Sequence, residues 1–165
     1  MKKGPRPDLR PMREKSLEEL EGYIAGEPPI DTYLVRTIHE LRRKPIGQFT
    51  VEDLRITIGQ GRGVPYLLPL ALECLEREPL AAGHYYPGDL LMSVLDAEAH
   101  WGANTDFRSR ARRIVERALE QLEAVRPIDS AAGELPEPDE PDQADREHLE
   151  PLLRGALAKL ISGAV

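Results

Sequence analysis

The segment between Pro65 and Pro79 limits the possible folds more than any other part of the chain. Apolar residues recur there at helical spacing, and others widen the stripe until little polar face remains: Leu67, Leu68, Leu70, Ala71, Leu72, Cys74 and Leu75. A helix beginning near Pro65 tolerates Pro65 and Pro69, because its first turn has free N–H groups, and Pro79 ends it. So apolar a helix must be buried, which predicts the central helix of an all-α domain.

Capping signals and helical periodicity predict about seven helices in one domain spanning residues 15–165. Leu, Ala, Glu and Arg dominate the 165 residues, aromatic residues make up only 5%, and no alternating strand pattern occurs. The predicted helices start near Ser16, Asp31, Thr50, Pro65, Asp89, Phe107 and Leu149. Ser16 and Glu19 have the spacing of a capping box, and Gly59 is expected to end the third helix in a left-handed conformation.

Two segments have too few apolar residues to join a core. Residues 1–14 carry five basic residues among three prolines, which predicts a disordered basic tail. Residues 127–142 combine prolines with acidic residues and are expected to form a flexible acidic loop or linker before the last helix.

Charge and cysteine content restrict the partners and the compartment. The formal net charge of −7 argues against general nucleic-acid binding and suits a cationic protein partner, although an acidic surface also serves solubility alone. A single cysteine excludes an internal disulfide and is compatible with a reducing compartment. No signal peptide or membrane-spanning stretch is recognisable, so we expect a cytoplasmic protein without membrane contact.

One run of sequence resembles the immunity proteins of contact-dependent growth inhibition. The matching stretches are LRRKPIGQFTVEDLRI at 41–56, IGQG at 58–61, GVPYLLPLALE at 63–73 and YPGDLL at 86–91. The resemblance covers about residues 31–97 and implies a toxin-binding inhibitor that is not an enzyme. In that family the cognate toxins are commonly nucleases, which implies a ribonuclease as the first choice of target.

No catalytic, cofactor or metal site is predicted from residue spacing. The glycines of 59–63 follow a predicted helix and lack the Gly-Lys-Ser/Thr ending of a phosphate loop, so we interpret them as a tight connection between helices. The four histidines lack zinc-ligand spacing. Cys74 lies in the widest apolar stripe and is interpreted as a small hydrophobic residue.

A cluster of aromatic and acidic residues is the predicted partner-binding site. Its members are Tyr85, Tyr86, Asp89, Asp96, Glu98 and Trp101. Aromatic anchors beside carboxylates suit an interface with a basic nuclease cleft. The alternative is structural, with Tyr86 and Trp101 in the core and Asp89 capping a helix. Glu52 and Asp53 have the same two alternative interpretations: they contact the partner, or they stabilise the first turn of a helix.

The functional hypothesis is an immunity protein that neutralises a cognate toxin by occluding its active site. An acidic inhibitor can imitate the phosphates that a basic ribonuclease cleft binds. The alternative is a helical adaptor or scaffold without a toxin partner, and a toxin gene immediately upstream distinguishes the two.

Overall fold

A computed structural model describes residues 10–26, 30, 32–101, 104–124 and 141–162. Those residues form eight α-helices, two short 3₁₀ turns and no β-strand, which confirms the all-α prediction. The helices are α1 Arg10–Arg13, α2 Leu17–Glu21, α3 Tyr33–Leu41, α4 Val51–Gly59, α5 Val64–Arg77, α6 Asp89–Asp96, α7 Thr105–Ala124 and α8 Gln143–Ser162. The chain divides into two compact units, Met1–Thr50 and Val51–Val165.

Helices α1 to α3 belong to the N-terminal unit, and side-chain caps set where two of them begin. The Ser16 hydroxyl accepts a hydrogen bond from the Glu19 N–H, and the Glu19 carboxylate accepts one from the Ser16 N–H, as predicted. The Thr32 hydroxyl caps α3 by accepting from the Val35 N–H, one residue beyond the predicted cap at Asp31. Both caps satisfy N–H groups that lack partners inside the helix.

The same unit leaves a group of large apolar side chains on its surface. Only Leu41 is buried within α3, although its apolar residues share one face. The exposed group comprises Tyr23, Ile24, Ile30, Tyr33 and Leu34. Singly exposed apolar side chains are normal on protein surfaces, so exposure alone does not assign these residues a role.

Helix α5 is the core of the C-terminal unit, as its sequence predicts. It packs against α4, α6 and α7, and α8 packs on α7. Its buried side chains include Leu67, Leu68, Ala71, Leu72 and Leu75. Cys74 is only half-buried, because it lies toward the edge of this stripe.

Two of the helix ends differ from the sequence-based expectation. Gly59 remains helical, and Gly61 adopts the left-handed conformation with φ 65°. Helix α8 begins at Gln143 and not near Leu149, so Pro151 lies inside the helix. That early start is stabilised by reciprocal hydrogen bonds between the side chains and backbone N–H groups of Asp142 and Asp145.

The predicted tail and acidic linker fall largely outside the described residues. Residues 10–13 of the predicted tail form α1, which accounts for the eighth helix. Residues 1–9 and 125–140 are not described, so disorder at 1–14 and flexibility at 127–142 stay predictions, as does the single domain over 15–165.

Candidate functional site

Residues 82–88, here called the Tyr85 loop, form the second part of the connection between α5 and α6 and are held by Asp89. One Asp89 carboxylate oxygen accepts a hydrogen bond from the Gly83 N–H at 2.6 Å, and the other accepts from the Tyr85 N–H at 3.1 Å. Asp89 is only 3% exposed. A buried carboxylate with two backbone donors fixes the loop, because either unpaired donor would be costly.

Arg55 on α4 completes this arrangement. Its guanidinium makes two hydrogen bonds of 2.6 Å to the Glu52 carboxylate, and its Nε lies 3.6 Å from an Asp89 oxygen. These bonds to Glu52, together with the neighbouring carboxylate of Asp89, raise the pKa of Arg55 above its usual value. The guanidinium also lies over the Tyr85 ring, 4.5 Å from its centroid, a cation–π contact.

The Tyr85 side chain remains 69% exposed despite these contacts. Its backbone is held by Asp89 and one ring face by Arg55. A tyrosine held in this way has little conformational freedom to lose on binding. It has the properties of a preorganised interface anchor.

Gly83 is required where the loop passes closest to this cluster. A Cβ atom at this position would meet Glu52 Oε2 at 2.6 Å, Arg55 Cδ at 2.9 Å and Asp89 Oδ1 at 3.0 Å. The absence of a side chain therefore allows the backbone to approach the carboxylates directly.

Tyr86 contacts a different part of the unit from Tyr85. Its half-buried ring meets the imidazole of His148 on α8 edge-on, with 5.7 Å between centroids. Burial raises the pKa of the Tyr86 hydroxyl, and the negative charges of Asp89 and Asp96 raise it further. The raised pKa keeps the hydroxyl protonated over a wider pH range, so it remains a potential hydrogen-bond donor.

Trp101 is buried, in keeping with the structural alternative. It is 3% exposed, and its indole N–H donates to the Val94 carbonyl at 3.2 Å. Asp89 is likewise buried, but it holds the Tyr85 loop and does not cap α6, whose N-cap is Gly88. Trp101 and Asp89 therefore lie beneath the exposed residues of the predicted site.

Asp96 and Glu98 lie at the other end of α6 from the Tyr85 loop. Asp89 begins α6 and Asp96 ends it, about 10 Å farther along the axis. Asp96 is exposed, whereas a Glu98 oxygen lies 3.0 Å from a nitrogen of the Arg108 guanidinium. The predicted site is thus divided between the Tyr85 loop and the C-terminal end of α6.

Comparison with known proteins finds a matching protein family. The family model described as CDI immunity proteins matches residues 19–111, more than half of the 165 residues. The chain belongs to the CDI immunity protein family. No curated protein and no solved structure matches it. The match covers the Tyr85 loop, α6 and Arg55, whereas α8 lies beyond it.

Membership of the CDI immunity proteins, where CDI is contact-dependent growth inhibition, indicates toxin neutralisation and therefore a cognate toxin partner. Proteins of this family are generally not enzymes. No helix in the described part of the chain is long and apolar enough to cross a membrane.

Sequence patterns missed Arg55 as a component of this immunity protein's site. Thirty positions separate Arg55 from Tyr85, and no local pattern connects them. The available signal was the spacing of Glu52 and Arg55, which suits an ion pair on a helix. That spacing indicates an ion pair within α4, but it does not predict that the Tyr85 ring lies against Arg55.

The described residues show no grouping that suggests metal binding. They contain no cluster of three or more histidine, cysteine or acidic side chains able to hold a metal ion. Burial raises the pKa of the Cys74 thiol, which disfavours the thiolate that a nucleophile requires.

Proposed function

We propose that this protein binds a CDI toxin with ribonuclease activity and occludes its active site in a stoichiometric complex. The toxin has a basic catalytic cleft, and binding takes place in the cytoplasm of the protected cell. The contact surface includes Tyr85 and the exposed part of Tyr86, with Asp96 and Glu98 at the end of α6. Asp89 and Trp101 hold this surface in place.

The arrangement of Tyr85 is the observation that carries the proposal. Three charged side chains, Glu52, Arg55 and Asp89, hold the backbone and one ring face of a residue that stays mostly exposed. An exposed aromatic side chain gains little for the fold itself, whereas rigid tyrosines are frequent energetic centres of interfaces. This supports partner recognition as the role of the loop.

Charge supports a nuclease as the target. The chain carries a formal net charge of −7, and the carboxylates of Glu52 and Asp96 are partly or fully exposed near the two ends of the surface. A ribonuclease cleft is positively charged because it binds phosphates. Carboxylates can occupy the same positive field and exclude RNA.

The test uses the purified protein encoded by the neighbouring gene, assayed as the cognate toxin, with cleavage of a fluorescent RNA as the readout. We expect one equivalent of the immunity protein to abolish cleavage. Tyr85→Ala should weaken inhibition by about thirtyfold or more, as expected for an anchor worth about 2 kcal/mol. Tyr33→Ala is the matched control, because Tyr33 is also exposed and lies on α3.

Each outcome bears on a separate part of the proposal. Inhibition unaffected by Tyr85→Ala but lost with Tyr33→Ala would move the interface to the exposed apolar group of the N-terminal unit. A toxin that binds but cleaves no RNA would contradict the ribonuclease assignment. Failure of the adjacent gene's product to bind at all would favour a scaffold over an immunity protein.

A further inference from the structure

A groove runs between the C-terminal part of α6 and helix α8. Its walls are mainly apolar, and its volume is about 300 Å³. The residues that matter here are Met92 and Leu95 on α6 and Leu152, Ala156 and Leu160 on α8. Leu152 is 43% exposed, so the groove is open and its apolar wall is in contact with water. We call it the α6–α8 groove.

The two walls carry opposite charges that do not pair with each other. Asp96 and Glu98 line the α6 side, and Lys159 lines the α8 side. Glu98 is paired with Arg108. Within the described residues no ion pair joins Asp96 to Lys159, and neither has another such partner there. Asp96 can therefore receive a cation on one side while Lys159 receives an anion on the other.

Gly155, which also lines the groove, lowers the stability of α8, and no close contact in the described residues requires a glycine there. It lies within α8, and a Cβ atom there would meet no heavy atom within 4 Å. A glycine inside a helix destabilises it relative to alanine because it loses more backbone freedom on folding. The described residues leave the space at Gly155 empty, so that space is open to another molecule.

From these observations we infer that the α6–α8 groove receives a segment of the toxin. That segment presents a large apolar side chain between a lysine or arginine, which pairs with Asp96, and an acidic residue, which pairs with Lys159. The apolar side chain covers Leu152 and fills the space beside Gly155. Because the occupant is the toxin, the groove has this role only if the proposed function holds.

Filling the groove from within the chain tests this directly. In Gly155→Phe the new Cβ atom would meet no heavy atom within 4 Å and position 155 is exposed, so the variant should fold. Ala158→Phe is the matched control, because Ala158 is exposed on the same helix and does not line the groove. The affinity of each variant for the purified toxin domain of the adjacent gene is measured, with the melting temperature of each variant alone.

We expect Gly155→Phe to weaken toxin binding at least about tenfold, and Ala158→Phe to leave it within about twofold. Gly155→Ala should raise the melting temperature by about 2–4 °C and keep most of the affinity, because one methyl group leaves the groove open. Asp96→Lys and Lys159→Glu should each weaken binding, since each removes one of the two complementary charges.

Three results would overturn the inference. Wild-type affinity in Gly155→Phe would show that the toxin does not enter the groove. If Tyr85→Ala still weakened inhibition, the proposed function would stand without the groove. Equal losses in Gly155→Phe and Ala158→Phe would indicate a general effect on α8. A dimer of the free protein that Gly155→Phe converts to a monomer in analytical ultracentrifugation would make a second copy the occupant.

Discussion

The guanidinium of Arg55 lies 4.5 Å from the centroid of the Tyr85 ring, and the same guanidinium binds Glu52 through two hydrogen bonds of 2.6 Å. The exposed ring of this loop residue is thereby linked to a charged group on helix α4. Loop residues that contact a partner gain affinity when their bound conformation already exists in the free protein. The Arg55–Tyr85 contact supplies this preorganisation in the proposed interface.

Replacing Arg55 with lysine tests the contact without removing the positive charge. Lysine cannot make the paired hydrogen bonds to Glu52 or place a planar cation over Tyr85. We expect Arg55→Lys to weaken toxin binding several-fold, and to have little further effect when combined with Tyr85→Ala. A double-mutant cycle on binding should give a coupling of about 0.5–1 kcal/mol. Additive losses would show that Arg55 acts independently of Tyr85.

Asp89 is expected to matter chiefly for stability. Asp89→Ala leaves the Gly83 and Tyr85 N–H groups without their acceptor and removes a carboxylate beside Arg55. The free energy of unfolding should fall by about 3 kcal/mol. Urea denaturation followed by the fluorescence of Trp101, the only tryptophan, measures this loss. Asp96→Ala, at an exposed position, should stay within about 0.5 kcal/mol of wild type.

Gly83 should not tolerate a side chain. In Gly83→Ala the new Cβ would lie 2.6 Å from Glu52 Oε2 and 2.9 Å from Arg55 Cδ, so the loop or the ion pair must move. We expect a loss of about 1–3 kcal/mol in the free energy of unfolding. Gly26→Ala is the control, since a Cβ atom at Gly26 would meet no heavy atom within 4 Å. Similar stabilities for the two variants would contradict the close approach at Gly83.

Asp96 and Glu98 should contribute unequally to toxin binding. Neutralising both should weaken binding while stability stays within about 0.5 kcal/mol of wild type. Because Arg108 already pairs with Glu98, most of the effect should come from Asp96→Asn and little from Glu98→Gln. Association rates measured between low and high salt should fall for wild type and vary less for Asp96→Asn. Wild-type affinity in the double variant would place the interface elsewhere.

Cys74 should react slowly with iodoacetamide. Burial raises the pKa of its thiol, so less thiolate is present at any pH below that pKa. The pH profile of alkylation in the folded protein should be displaced upward relative to the same protein in urea. Because the pKa of this thiol is higher in the folded than in the unfolded protein, its contribution to stability is present below the unfolded pKa. That contribution is lost as pH rises through the folded pKa. Coincident profiles would show that Cys74 is not shielded.

Local sequence patterns predicted the helices well because helix formation depends on neighbours in the chain. Ser16 and Glu19 are three positions apart, and the structure contains the capping box that this spacing predicts. The apolar stripe from Leu67 to Leu75 is buried as its spacing requires. Errors fell at helix ends, where Gly61 and not Gly59 adopts the left-handed conformation, and at α8, which begins before Leu149.

The candidate site was predicted only in outline. Sequence proximity grouped Tyr85, Tyr86, Asp89, Asp96, Glu98 and Trp101, but a side chain's direction depends on the helix that carries it and on what packs against it. Trp101 and Asp89 point inward, and Asp96 lies near the far end of α6 from Tyr85. Whether these residues contact a toxin stays a prediction.

The sequence by itself determined the all-α class, the buried stripe of α5 and the family, because periodicity, capping and motif order are all carried by residues close together in the chain. Only the tertiary structure decided that Arg55 lies over Tyr85, that Asp89 is buried beneath the loop, and that Asp96 and Lys159 line one groove without pairing. Those relationships join residues 30 or more positions apart, or depend on which face of a helix is covered. They follow from how α4, α6 and α8 pack, and local propensity does not specify packing.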